Sequence, residues 1–182
     1  MQKKSDVIQA SANELKHAST ISIAGMLIGI SVVLSLFNVV FSNVLQISFA
    51  FLPIAMGGML YGPVVGGVMG IAGDVLGYFA KPNGPFFPGF TLNALLSGAL
   101  YGFFLYRKPV SLKRVVIVML IITIVINLGL TSYWLSMMYG QAFIALMTGR
   151  ILKNIVMFPI NVALLMTFLK LVEKLNIKKH VN

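Results

Sequence analysis

The sequence contains no cysteine, which removes disulfides, thiolate metal sites and thiol catalysis from consideration. Only 4 of its 182 residues are acidic, and its 2 histidines, His17 and His180, sit in polar terminal stretches. No cluster of histidines and acids is therefore available to hold a metal. The phosphate-loop pattern G-x-x-x-x-G-K-[ST] is also missing, so the chain has no route of that kind to ATP hydrolysis. No nucleophile stands at a spacing that pairs it with a base. Charged residues make up 10% of the chain, against roughly a quarter in soluble domains.

What is present is mostly apolar. Hydrophobic residues reach 58% and the mean hydropathy is +0.94. A formal charge of +10 in a soluble protein would point to nucleic acid. In so apolar a chain it reads instead as the excess of Lys and Arg that membrane proteins keep on the cytoplasmic side, and no nucleic-acid partner is expected.

Apolar segments run over 19–41, 48–61, 63–79, 91–106, 114–138 and 150–173. A bilayer crossing needs about 20 such residues. The second and third segments are divided only by Tyr61-Gly62-Pro63, where proline opposes helix in the residue before it. The expected fold is an all-α integral membrane protein, a bundle of six transmembrane helices, or five if the short second segment is re-entrant. Residues 1–18 read as a cytosolic tail or surface helix, too polar and too long before the first apolar run for a signal peptide. Residues 19–175 then form the transmembrane domain, and 176–182 a second cytosolic tail.

The basic residues fall into groups. Lys3, Lys4 and Lys16 precede the first span; Arg107, Lys108, Lys113 and Arg114 lie between spans four and five; Lys170, Lys174, Lys178 and Lys179 follow or close the last. An even number of spans places all three groups on one side, which the positive-inside rule makes the cytoplasm, with both termini there. Lys81, Arg150 and Lys153 alone are left for the outer side.

Those three, with Asp74, the only acid within the body of a span, carry the functional reading. Charge near hydrocarbon is costly and usually faces a cavity, a partner or the interface. Asp74, Tyr78 and Lys81 are spaced i, i+4, i+7 and share one helical face. Arg150 and Asn154 are four apart, with Lys153 beside them. Asn127, Thr131 and Trp134 repeat the pattern in span five, and Asn93 and Ser97 at the start of span four. Four polar stripes near the outer ends describe a water-accessible pocket in the outer half of a bundle. Each residue also has a plainer use: Lys81 and Lys153 suit snorkelling, Asp74 and Arg150 an ion pair, Asn93 and Asn127 helix–helix bonds, and Trp134 an interfacial belt.

The loop Gly84-Pro85-Phe86-Phe87-Pro88-Gly89-Phe90 joins spans three and four on the outside. Its prolines restrict the backbone and lower the entropy lost on closing over a ligand. Phe86, Phe87 and Phe90 suit a lid that stacks on a flat ligand, or an anchor in the headgroup layer. Glycines gather between Gly57 and Gly77, and the four-residue spacing of Gly62, Gly66 and Gly70 suits close helix packing. Gly25 and Gly29 form a second small-residue pair on span one, for packing or for another membrane protein.

The run GDVLGYFAKPNGPFFPGFTLNALLSGALYG (Gly73–Gly102) resembles the substrate-binding S components of energy-coupling factor (ECF) vitamin transporters, most of all their folate-specific members. The segment GRILKNIVMFPIN (Gly149–Asn161) is similar to the start of their last span, and the likeness extends over essentially the whole chain. The resemblance implies a six-helix bundle that captures a vitamin from outside, with no cofactor and no catalysis of its own. It further implies a transmembrane scaffold (T) subunit and two cytosolic ATPases as partners. Members dock through Ala-x-x-x-Ala on the first span, positions that Gly25 and Gly29 occupy here. Folate suits the residues: Asp74, Asn93 and Asn154 for the pterin edge, Tyr78, Phe86, Phe90 and Trp134 for its rings, and Lys81, Arg150 or Lys153 for its glutamate. The alternatives are another flat vitamin such as riboflavin, and a stand-alone channel or carrier.

Overall fold

Proline and glycine set the helix ends. Gly62 turns the chain with φ +92°, a left-handed value that glycine adopts without strain, and Pro63 starts the next helix, where its missing N–H costs nothing. Pro88 repeats that role after an extended Phe87, and Gly140, at φ +65°, closes a third helix.

The computed structural model describes residues 4–37, 39–40, 46–82, 84–140 and 143–175. The expected tail 176–182, with Lys178 and Lys179, lies outside the described residues, as does Lys3. The elements are α1 (Lys4–Glu14), α2 (Ala18–Leu36), a two-residue antiparallel pair β1 (Val39–Val40) and β2 (Gln46–Ile47), α3 (Phe51–Tyr61) and α4 (Pro63–Ala80). They continue as α5 (Pro88–Leu105), α6 (Leu112–Ile121), a π-helical segment (Ile122–Leu130), α7 (Thr131–Tyr139) and α8 (Phe143–Lys174).

Five stretches are long and apolar enough to cross a membrane: α2, α4, α5, the continuous Leu112–Tyr139, and Arg150–Lys174 of α8. The remaining apolar segment is α3, whose 11 residues rise about 16 Å, roughly half of a hydrocarbon core. Nearly every α3 residue is buried. Bare backbone is tolerated at membrane depth only when protein covers it, and α2, α4 and α5 provide that cover.

The tightest packing joins α3, α4 and α5. A Cβ at Gly66 would lie 2.5 Å from the Gly98 carbonyl oxygen, and one at Gly58 only 2.9 Å from the Gly102 nitrogen. Gly98 meets Gly66, Gly70 meets Ala94 and Gly102 meets Pro63 at closer range still. Of the sequence triplet, Gly66 and Gly70 are thus interface positions and Gly62 is the turn. Met59, Tyr61, Val65 and Met69 fill the interior beside this seam, with Leu165 and Leu169 from α8.

One end of the bundle gathers α1, the α3–α4 turn, the α5–α6 connection and the end of α8. The Ser11 hydroxyl of α1 is fully buried. It donates to the Tyr61 carbonyl at 2.7 Å and accepts from the Val64 and Val65 amides at 3.0 and 3.3 Å. A side chain from a separate helix thereby satisfies two of the orphan donors that start α4. Tyr106 packs on the same turn, and Glu173 Oε1 accepts from the Val110 amide at 3.3 Å. The opposite end holds the connections α4–α5 and α7–α8, and there the bundle opens.

Candidate functional site

The opening is a cavity of about 760 Å³, a size suited to a drug-sized organic ligand. Its walls come from α2 through α8, with Pro85, Phe86 and Phe87 of the α4–α5 loop across the mouth.

Asp74, Tyr78 and Lys81 line one side, as their shared helical face requires. Gly73 and Gly77 of the same helix face Ser31 and Ser35 of α2. The Asp74 carboxylate accepts from Thr91 Oγ1 at 2.7 Å through Oδ2. Its partner is therefore a hydroxyl of α5, and no ion pair to Arg150 is formed among the described residues. Tyr78 donates to the Gly84 carbonyl at 3.0 Å and meets the Phe86 ring edge-on at 5.2 Å. That pair of contacts ties the loop down over the mouth, where Gly84 turns with φ +82°.

Across the cavity stand Arg150, Lys153, Asn154, Met157 and Asn161 of α8. Asn154 Nδ2 donates to the Arg150 carbonyl at 2.9 Å, which occupies one of its two amide hydrogens and leaves its oxygen open. Asn161 continues the stripe at i+7 from Asn154, a position the spacing rule identifies although it was not among the expected residues. From the π segment Ile122 and Asn127 both line the cavity. Five residues apart on an α-helix would be about 140° round the axis; the i→i+5 bonding of a π turn brings such positions onto one side. Neither Asn127 nor Asn161 hydrogen-bonds another described residue, so both amides remain open to the cavity.

Phe86, Phe87 and Phe90 line the mouth as expected. Asn93 and Trp134 are not among the residues that line it. Asn93 is 7% exposed and lies behind the wall, bonded to Thr131 at 3.1 Å and to the Trp134 indole at 3.2 Å. Trp134 packs on the outer side of Phe87, ring centres 5.6 Å apart. Further lining residues escaped the sequence reading: Ser31 and Ser35 from α2, and Tyr101 from α5. Their hydroxyls are engaged with Ala50, Val32 and Met119. Three cations, Lys81, Arg150 and Lys153, thus face a cavity with a single carboxylate, an arrangement that favours an anionic ligand. Among the described residues no three side chains of the metal-ligating kinds gather.

Gly25 and Gly29 lie on the outer face of α2, exposed, with nothing within 4 Å of where a Cβ would stand. Internal packing is thereby excluded for the pair.

Comparison with known proteins agrees with this architecture. The family model "ECF transporter, substrate-specific component" matches residues 19–169. The folate transporter FolT of Clostridium novyi (strain NT) is 36% identical over 167 residues, covering 92% of this chain and 97% of its own. FolT of Leuconostoc mesenteroides subsp. mesenteroides is 37% identical over 145 residues, 76% of this chain and 78% of its own. A crystal structure of FolT bound with folic acid superposes with a TM-score of 0.74 at 39% identity, covering 82% of this chain and 91% of that one. These curated relatives are folate transporters. The chain is a multi-pass membrane protein that belongs to the family of substrate-specific components of ECF transporters.

Proposed function

We propose that the chain is the folate-binding subunit of an ATP-driven ECF importer, capturing its ligand at the open end of the bundle. One observation carries the reading: a cavity ringed by Phe86, Phe87 and Phe90 at its mouth, with one acid and three cations in its walls. It occurs in a chain that shares 39% identity with a FolT solved with folic acid. Folate has a flat aromatic end and a dianionic end. Asp74 keeps an oxygen free of Thr91, and it and Asn154 suit the donor–acceptor edge of the pterin. Tyr78 and the phenylalanines suit stacking, while Arg150, Lys153 and Lys81 suit the glutamate, with Arg150 the one able to hold a carboxylate in two-point fashion.

The bundle crosses the membrane six times in this reading, with α3 as the short crossing and both termini in the cytoplasm. The end bearing α1, Arg107, Lys108 and Lys174 faces the ATPases, and the cavity faces outside. Residues 1–18 and 176–182 flank a binding domain of residues 19–175. Exposed on α2, Gly25 and Gly29 offer the smooth strip on which a transmembrane scaffold subunit docks. ATP is hydrolysed by two partner ATPases.

Titrating the purified chain with folate, riboflavin and thiamine tests this, by calorimetry and by the fluorescence of its single tryptophan, Trp134. The expected result is saturable, tight binding of folate alone. Tight binding of another vitamin replaces the ligand and keeps the family. Folate entering vesicles that hold this chain without any ATPase identifies a stand-alone carrier instead.

A further inference from the structure

Asn93 joins two parts of the site that share no other described hydrogen bond. Its Nδ2 donates to Thr131 Oγ1 at 3.1 Å, and Thr131 Oγ1 donates onward to the Ile126 carbonyl at 2.8 Å. Ile126 lies in the π segment, next to the cavity-lining Asn127. The other amide atom, Oδ1, accepts from the Trp134 indole N–H at 3.2 Å. Trp134 backs Phe87 at 5.6 Å, and Phe87 meets Phe90 at 6.0 Å. A buried Asn with both ends satisfied holds one geometry firmly, because turning the amide over would strand a donor and an acceptor.

Gly89 supplies independent evidence that this contact is built in. A Cβ there would stand 2.5 Å from Phe87 Cε1 and 2.6 Å from Trp134 Cδ2. The Phe87–Trp134 contact exists because position 89, in the first turn of α5, carries no side chain.

We propose that Asn93 is a positioning residue of the binding site: it touches no ligand, and it governs ligand escape by fixing Trp134 behind the Phe87 lid and Thr131 at the end of the π segment. The proposal rests on the reading of the cavity as a folate site. It assigns the residue to dissociation rather than recognition, since neither partner of the Asn93 amide, Thr131 or Trp134, lines the cavity. A buried amide that merely bonds two helices would lower stability and leave dissociation unchanged.

Folate binding and dissociation are measured on the parent chain, on Asn93→Leu, on Gly89→Ala and on the double variant, each with its thermal midpoint. Asn93→Leu removes both hydrogen bonds at similar volume. Gly89→Ala breaks no hydrogen bond and favours the helix by propensity, yet displaces Phe87 from Trp134. The expected result is dissociation roughly three- to tenfold faster in each single variant, about what one neutral hydrogen bond supports for Asn93→Leu and one aromatic contact for Gly89→Ala, with association within twofold. The double variant is expected to be no faster than the faster single one, because both act through the same ring contact. Ligand-induced change in Trp134 emission is expected to shrink in both. Should Asn93→Leu fail to fold, Gly89→Ala decides alone. Parental dissociation rates in folded variants, or additive effects in the double one, overturn the positioning role while the folate reading stands. A parent chain that binds no folate overturns the ligand, and the relay with it.

Discussion

Along α4 and α5 the backbones meet directly, at Gly66 and Gly98 and at Gly70 and Ala94. Along α5 and the π–α7 stretch the gap is filled by side chains, with Asn93 bonded to Thr131 and Trp134. The first contact leaves nothing to adjust, because its shape is that of two main chains. The second is made of rotatable groups around a helix that departs from α geometry over nine residues, Ile122–Leu130. The cavity lies between these two regimes, one wall fixed and one adaptable. A seam of main chains has the least freedom to repack, so any ligand-dependent movement is expected in the side-chain-packed half and the loop above it.

A matched pair of substitutions breaks the comparison most directly. Gly98→Ala places a methyl group against the Gly66 carbonyl, whereas Gly129→Ala meets the Ile124 carbonyl at 3.4 Å, ordinary contact. Alanine gains helix propensity at both. Thermal unfolding in detergent should show a loss of about 3 kcal/mol, or roughly 6–12 °C, for Gly98→Ala, and a change within about 1 kcal/mol for Gly129→Ala. Equal midpoints would mean that the glycine seam does not distinguish the halves.

On the cavity wall, Arg150→Gln removes a charge that pairs with no described acid. Folate affinity should fall roughly 10- to 100-fold, as for a charge-assisted bond, with the midpoint unchanged; calorimetry and unfolding on one preparation separate the two. At the far end, Ser11→Ala takes away the cap on α4. The expected loss is about 1 kcal/mol, or roughly 2–4 °C, with folate affinity at the parental value. A change in affinity there would show that the closed end reports to the open one. Gly25→Leu with Gly29→Leu should alter neither midpoint nor affinity, since both positions are open. Under the proposed docking role, its effect is expected only in co-purification with a scaffold subunit.

Composition and spacing make much of this legible in the sequence. Asp74, Tyr78 and Lys81 share a face because of helical periodicity, and so do Arg150, Asn154 and Asn161, although the reading stopped before the last. Asn93 and Trp134 show the limit of the method. Spacing names the face of a helix, but an amide or indole suits a cavity and a neighbouring helix equally well, and only the packing of α5 on α7 decides. The π segment left no trace for the same reason: ITIVINLGL is as apolar as any spanning α-helix, and hydropathy does not register how the backbone is bonded. The short α3 was foreshadowed by Tyr61-Gly62-Pro63. On α5, Gly98 and Gly102 form an interface only because Gly66 and Gly58 stand opposite them, a pairing that spacing within one helix does not encode.

The Ser11 cap also fixes an order of events during synthesis. Its partners Tyr61, Val64 and Val65 follow it by 50, 53 and 54 residues. At roughly 5–20 residues per second, α1 leaves the ribosome several seconds before the turn it grips exists. α1 thus cannot dock until α4 arrives with two unmet amides. Loss of the Ser11 hydroxyl would act on that docking step and leave the formation of α1 itself untouched.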